Sequence, residues 1–116
     1  MQAETAKFLH DVITACDLVA KFSSGKTFSE YQSNEMLCAA VEREFIIVGE
    51  ALMQARKLDP EIVGTITAVV KIIGFRNVLV HGYGIIQPAT VWSVKEKDMA
   101  VLRREVQALL ATAPTL

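Results

Sequence analysis

The chain has 116 residues, of which 52% are hydrophobic, so it is long enough for one folded domain but small for its apolar content. We therefore predict a single domain over residues 1–116 with a surface that another protein covers. The formal net charge of -1 excludes a protein that follows nucleic acid by bulk positive charge, so any RNA contact must be local.

Cysteine and histidine are too sparse for a metal centre. Cys16 and Cys38 lie far apart among apolar neighbours, and His10 and His81 are equally separated, so we expect buried thiols, no metal and no cofactor. Residues 62–75 are apolar, but they are too few and too often interrupted to span a membrane. Because the first residues also lack a signal pattern, the sequence predicts a soluble, cytoplasmic protein.

The first half of the chain predicts helices. Residues 6–22 place apolar side chains at spacings of three and four, which predicts an amphipathic helix that ends near Gly25. Residues 26–34 then predict a loop. Ser33 or Asn34 at its end can cap the next helix.

Two longer helices are predicted next. Residues 35–57 form the second helix, and the acceptor, proline and acid of residues 59–61 are typical of a new helix start. The third helix, residues 60–80, is apolar nearly all round, so it is buried on most sides or lies in a subunit interface. The glycines of residues 81–84 predict an irregular turn after it.

The last part of the chain predicts a short helix at residues 88–92 and an amphipathic helix at residues 100–111. No alternating pattern predicts a strand. We therefore predict an all-α fold, an up-and-down bundle of four to five helices with short connections.

Three polar residues interrupt the third helix. Arg76, Asn77 and His81 would be costly to bury unpaired, so they either line a cleft or are paired. Asn77 and His81 share a face, whereas Arg76 and His81 differ by about 140° around an ideal helix. For the two side chains to meet, either Arg76 reaches round the helix or the helix unwinds before His81. Arg76 and His81 together could then hold one phosphate.

Ordered motifs carry a resemblance to a known family. In one segment an arginine is followed directly by asparagine, a histidine comes five positions after the arginine, and a tyrosine comes two positions after the histidine. This order resembles the HEPN motif of HepT-like ribonuclease toxins. Two other segments, upstream and downstream, are similar to that family in the expected order. In this chain these features are Arg76, Asn77, His81, Tyr83, the segment 41–52 around Gly49, Glu50 and Ala51, and Val91 with Trp92.

The resemblance implies a homodimer that cleaves RNA without metal through a groove shared by two third helices. His81 would act as general base or acid, Arg76 would clamp the phosphate, and Asn77 would orient the imidazole or a phosphate oxygen. Tyr83 would accept an adenylyl group from an MNT-type nucleotidyltransferase antitoxin. The family therefore implies a type VII-like toxin–antitoxin pair.

Other interpretations remain open from the residues. Glu50 is predicted to support the site through an ion pair with either Arg43 or Arg76, while His81 could be structural and Tyr83 an interface residue. The protein could also be a non-catalytic binding or regulatory subunit of a nucleotidyltransferase, or only a dimerising bundle. The intact Arg76, His81 and Tyr83 favour the nuclease.

Overall fold

The computed structural model describes residues 1–112, and of Tyr83 it describes the backbone alone. Within that part there are helices and no strand, which confirms the predicted all-α class. Four long helices form the bundle, and two short ones connect them. The helices are α1 (Ala3–Ser23), α2 (Phe28–Gln32), α3 (Glu35–Leu58), α4 (Pro60–Val63), α5 (Val69–His81) and α6 (Pro88–Ala111).

The pairing of α1 with α3 forms one side of the core. Buried residues of α1 recur at three- and four-residue spacings, as predicted, and they include Leu9, Val12 and Cys16. The start of α1 is fixed to the end of α3, because the Asp59 carboxylate accepts a hydrogen bond from the Gln2 backbone N–H at 2.9 Å. The two helices are therefore antiparallel.

The predicted loop at residues 26–34 contains the short helix α2. Thr27 and Glu30 form a capping box, in which each side chain accepts from the backbone N–H of the other. The second helix begins as predicted, since the Asn34 side chain accepts from the Leu37 N–H at 3.0 Å. Tyr31 of α2 is fully buried, and its ring lies 5.2 Å from that of Trp92.

The predicted third helix, residues 60–80, is interrupted in the structure. After α4 the chain turns, and α5 starts only at Val69. The Thr65 hydroxyl donates to the Ile62 carbonyl at 2.7 Å, and the Thr67 hydroxyl donates to Glu105 at 2.6 Å. The Thr67 backbone N–H, which a continuous helix would direct to a carbonyl, donates instead to the Glu105 Oε1 at 3.1 Å, so the Glu105 side chain competes with a continuous helix here.

The two predicted segments at the C-terminal end form the single helix α6. The stretch between them, residues 93–99, is helical because Val94 and Met99 are buried in the core while Glu96 and Lys97 are exposed. Asp98 pairs with Lys71 of α5 at 2.7 Å, and Arg103 pairs with Asp17 of α1 at 2.6 Å. Trp92 lies partly buried against the core. None of the described helices is both long and apolar enough to cross a bilayer.

Candidate functional site

Helix α5 has one buried side and one exposed side. The helix runs without a break through His81, so the second of the two alternatives, unwinding before that residue, does not occur. Its core side lies against α3 and the rest of the bundle. The opposite side is open, and its exposed residues are Val70, Lys71, Gly74, Asn77, Val78 and His81.

Arg76 faces α3 rather than the open side of α5. Its Nη2 lies 2.7 Å from the Glu50 Oε2, and its side chain is 19% exposed. Its Nη1 donates to the Asn77 Oδ1 at 2.9 Å. Of the two predicted ion-pair partners of Glu50, Arg43 and Arg76, it is Arg76 that forms the pair. The Arg76 Nε is buried and has no hydrogen-bond partner among residues 1–112.

Asn77 lies between Arg76 and His81 around the helix. It follows Arg76 by one position and precedes His81 by one turn, so the three side chains form a strip across the flank of α5. His81 is exposed, and in the described part of the chain it makes no hydrogen bond. We call Arg76, Asn77 and His81 the polar strip.

The strip offers complementary chemistry. A guanidinium has five N–H donors in a fixed plane, suited to a phosphate, and an imidazole can act as a general acid or base. Within one chain, however, Arg76 and His81 do not meet. They are five residues apart on a continuous helix, which separates them by about 140°.

Arg43 lies at the edge of this region. It is exposed and lines a shallow groove between α1 and α3 that Glu50 also lines. Among the residues described, it makes no ion pair. No ion pair therefore supports the predicted role of Arg43, whereas the ion pair with Arg76 supports that of Glu50.

The turn after α5 is tight. The Gly82 N–H donates to the Val78 carbonyl at 2.7 Å, and a 3-10 turn follows over Tyr83–Ile85. The predicted modification site falls on Tyr83, whose side chain lies outside what the structure describes. Its backbone follows His81 by two positions, at the end of the polar strip.

A contact that the sequence interpretation overlooked lies under Arg76. Gly49 of α3 is buried, and a Cβ at this position would overlap the Arg76 Cβ and lie 2.7 Å from its Cγ. A glycine inside an amphipathic helix was the available signal, because glycine weakens a helix unless packing requires it. No group of three or more His, Cys, Asp or Glu residues in the described part could hold a metal ion.

Comparisons with known proteins agree on one family. The sequence model of the family described as Ribonuclease HepT-like matches residues 12–109. A protein of Methanocaldococcus jannaschii named "Putative RNase MJ1380" is 28% identical over 104 residues, which cover 86% of this chain and 91% of the relative. "Putative RNase MJ0125" of the same organism is 24% identical over 103 residues, covering 89% of this chain and 88% of the relative. No solved structure matches.

Proposed function

The chain belongs to the HepT-like ribonuclease family, and we propose that it is a metal-independent endoribonuclease whose catalytic residues are Arg76, Asn77 and His81. The observation that carries this proposal is the polar strip, in which Asn77 contacts Arg76 and precedes an exposed His81 by one turn. The exposed imidazole of His81 makes no hydrogen bond in the described part of the chain, so it is free to meet a substrate.

The proposed reaction is an internal transfer within the RNA. The ribose 2′-oxygen attacks the adjacent phosphorus, the bond from phosphorus to the 5′-oxygen breaks, and a 2′,3′-cyclic phosphate forms. His81 removes the 2′-hydroxyl proton or supplies a proton to the leaving 5′-oxygen. Arg76 stabilises the additional negative charge on the phosphorane, and Asn77 orients the guanidinium that it contacts.

We also propose that the active form is a two-fold dimer through α5. Val70 and Val78 on its open side are 74% and 42% exposed, although both are apolar. A second copy on this side would cover both valines and bring a second polar strip alongside the first. It would also supply the proximity of Arg76 and His81 that one chain lacks.

The proposed regulation concerns Tyr83. A partner nucleotidyltransferase antitoxin would transfer an adenylyl group from ATP to the phenol oxygen, with release of pyrophosphate. The new phosphodiester would place negative charge and bulk two residues from His81, where both oppose RNA binding. Support for this step is the family resemblance and the position of Tyr83 in the chain.

The test of the nuclease is direct. Purified protein is incubated with RNA in excess chelator, and the fragments are examined for 2′,3′-cyclic phosphate ends. Arg76→Ala and His81→Ala should each abolish cleavage and keep the helical content. Arg104→Ala is the matched control, because it removes an exposed cation on α6 away from the strip. Absence of cleavage by the folded wild type would refute the nuclease and favour the non-catalytic binding subunit.

A further inference from the structure

The contact between α3 and α5 leaves no room for a side chain at position 49. The buried Gly49 lies directly under the aliphatic part of Arg76, and a Cβ there would overlap the Arg76 Cβ. The Ile72 carbonyl oxygen would be 3.4 Å from the same added atom. Glycine therefore allows α5 to come close enough for the Arg76 stem to rest on the backbone of α3.

The residue after Gly49 fixes the other end of the same side chain. The Glu50 Oε2 lies 2.7 Å from the Arg76 Nη2. The second Glu50 oxygen accepts from the Gln54 Nε2 at 3.4 Å, one turn further along α3. Arg76 is thus held along its stem by Gly49 and at its head by Glu50, while Asn77 holds Nη1.

This arrangement uses only part of the donor capacity of Arg76. A guanidinium has five N–H groups, and the contacts to Glu50 and Asn77 engage the two terminal nitrogens. Nε is buried without a partner in the described residues. The head is oriented, and the second N–H of each terminal nitrogen remains for a further acceptor, whereas the buried Nε is closed to one.

We propose that Gly49 and Glu50 are positioning residues, which hold the Arg76 guanidinium in the orientation that meets the RNA phosphate as its charge develops. The proposal rests on the proposed nuclease function, and neither residue needs to touch RNA. Glu50 has two opposite effects. It fixes Arg76 for the transition state, but its negative charge repels the phosphate of bound RNA.

The first experiment substitutes the glycine. Gly49→Ala should move Arg76 by a large fraction of an ångström or more and lower kcat/KM about 100-fold, because small misplacements of a catalytic group cost that much. Ala55→Val is the matched control: it enlarges a fully buried residue of the same helix, away from Arg76. The two variants are compared at equal distance below their melting temperatures. A Gly49→Ala protein with wild-type kcat/KM overturns the proposal.

The second experiment separates positioning from simple structural support. Glu50→Gln should lower kcat about 10-fold and also lower KM, because the removed charge no longer opposes RNA. A loss of folded protein lowers the apparent kcat but leaves KM unchanged, so it cannot produce this combination. Glu61→Gln, on the exposed first turn of α4, is the charge-matched control and should change neither constant. A rise in kcat with Glu50→Gln would show that Glu50 restrains Arg76, and it would overturn the proposal.

A measurement without RNA distinguishes this proposal from the nuclease itself. The 15N NMR signal of the Arg76 Nε–H is assigned by its absence in Arg76→Lys. Its chemical shift reports the local environment of the guanidinium. It should shift in Gly49→Ala and Glu50→Gln and stay in place in Ala55→Val and Glu61→Gln. An unchanged signal in both site variants refutes the positioning role. If the two site variants shift this signal but the wild type cleaves no RNA, the proposed nuclease function is refuted and the positioning of Arg76 is not.

Discussion

Arg76 and His81 lie on one unbroken helix, yet they point about 140° apart. Arg76 turns toward Glu50 of α3, whereas His81 faces the open side of α5. A single phosphate between them is reached most simply when the two residues come from different copies of the chain. The relationship therefore predicts that the proposed active site is composite.

Mixed dimers test the composite site. A dimer with Arg76→Ala in one copy and His81→Ala in the other keeps one intact Arg76–His81 pair across the interface. It should retain roughly half of the wild-type activity, because two-fold symmetry gives two equivalent pairs. Chains with different tags, purified over both tags and assayed for RNA cleavage, provide the measurement.

The control for this experiment carries both substitutions in the same copy, with a wild-type partner. Neither pair across the interface is then intact, and activity should be lost. The opposite result, an active control and an inactive mixed dimer, would place both residues of each site in the same copy.

The open side of α5 predicts the dimer interface. Val70→Glu and Val78→Glu should each weaken the dimer and cleavage together, because an unpaired carboxylate buried in an interface costs roughly 3 kcal/mol or more. Light scattering at micromolar concentration checks the oligomeric state. Met36→Glu is the control, since Met36 is 82% exposed on α3 and should tolerate the charge. A Val70→Glu dimer as tight as the wild type would place the interface elsewhere.

Burial of Cys16 predicts a loss of stability at alkaline pH. Burial, aided by the charge of Asp17, raises the pKa of the Cys16 thiol to about 12. The unfolded thiol ionises near pH 8.5, so above that pH the unfolded state binds fewer protons and is favoured. The free energy of unfolding should fall by about 1.4 kcal/mol up to pH 9.5 through this group.

Denaturant unfolding between pH 7.5 and 9.5, under reducing conditions, measures this effect. Cys16→Ala should remove most of the pH dependence, whatever it does to stability at pH 7.5. Cys38→Ala, which removes the half-buried thiol, should keep it. Parallel curves for the wild type and Cys16→Ala would contradict the prediction.

Local signals predicted much of this fold, and one further signal was present but unused. The Asn34 cap and the amphipathic α1 follow from nearby residues alone. The capping box of Thr27 and Glu30 is equally local, so the pattern of these residues could have indicated α2. The break before α5 is different, because Thr67 bonds to Glu105, which is 38 residues away. No local pattern contains that partner.

The same distinction holds for the candidate site. The cost of burying a charge predicted that Arg76 would be paired or would line a cleft, and the structure shows the pair with Glu50. Whether Glu50 pairs with Arg43 or with Arg76 depends on how α3 and α5 cross. The glycine at position 49 could have indicated a close approach to α3, but the identity of Arg76 as the contacting residue depends on the same crossing, which a single sequence does not specify.

Regulation at Tyr83 predicts a clean separation of two activities. Tyr83→Phe should keep most of the nuclease activity, because a phenol with a pKa near 10 is a poor base at neutral pH and His81 is the proposed acid–base residue. The same variant should escape inactivation by the nucleotidyltransferase. Adenylylation needs the phenol oxygen as nucleophile, and phenylalanine has none.

The chain contains its own control for this prediction. It has two tyrosines, and the other, Tyr31, is fully buried in the core, where a second enzyme cannot reach it. Wild-type protein treated with the purified candidate nucleotidyltransferase and ATP should gain one adenylyl group in its Tyr83 peptide and none in its Tyr31 peptide. Cleavage should fall in proportion to the modified fraction, because the added phosphodiester repels RNA beside His81. A protein that the partner inhibits fully while Tyr83 stays unmodified would show that the partner blocks the site by binding alone.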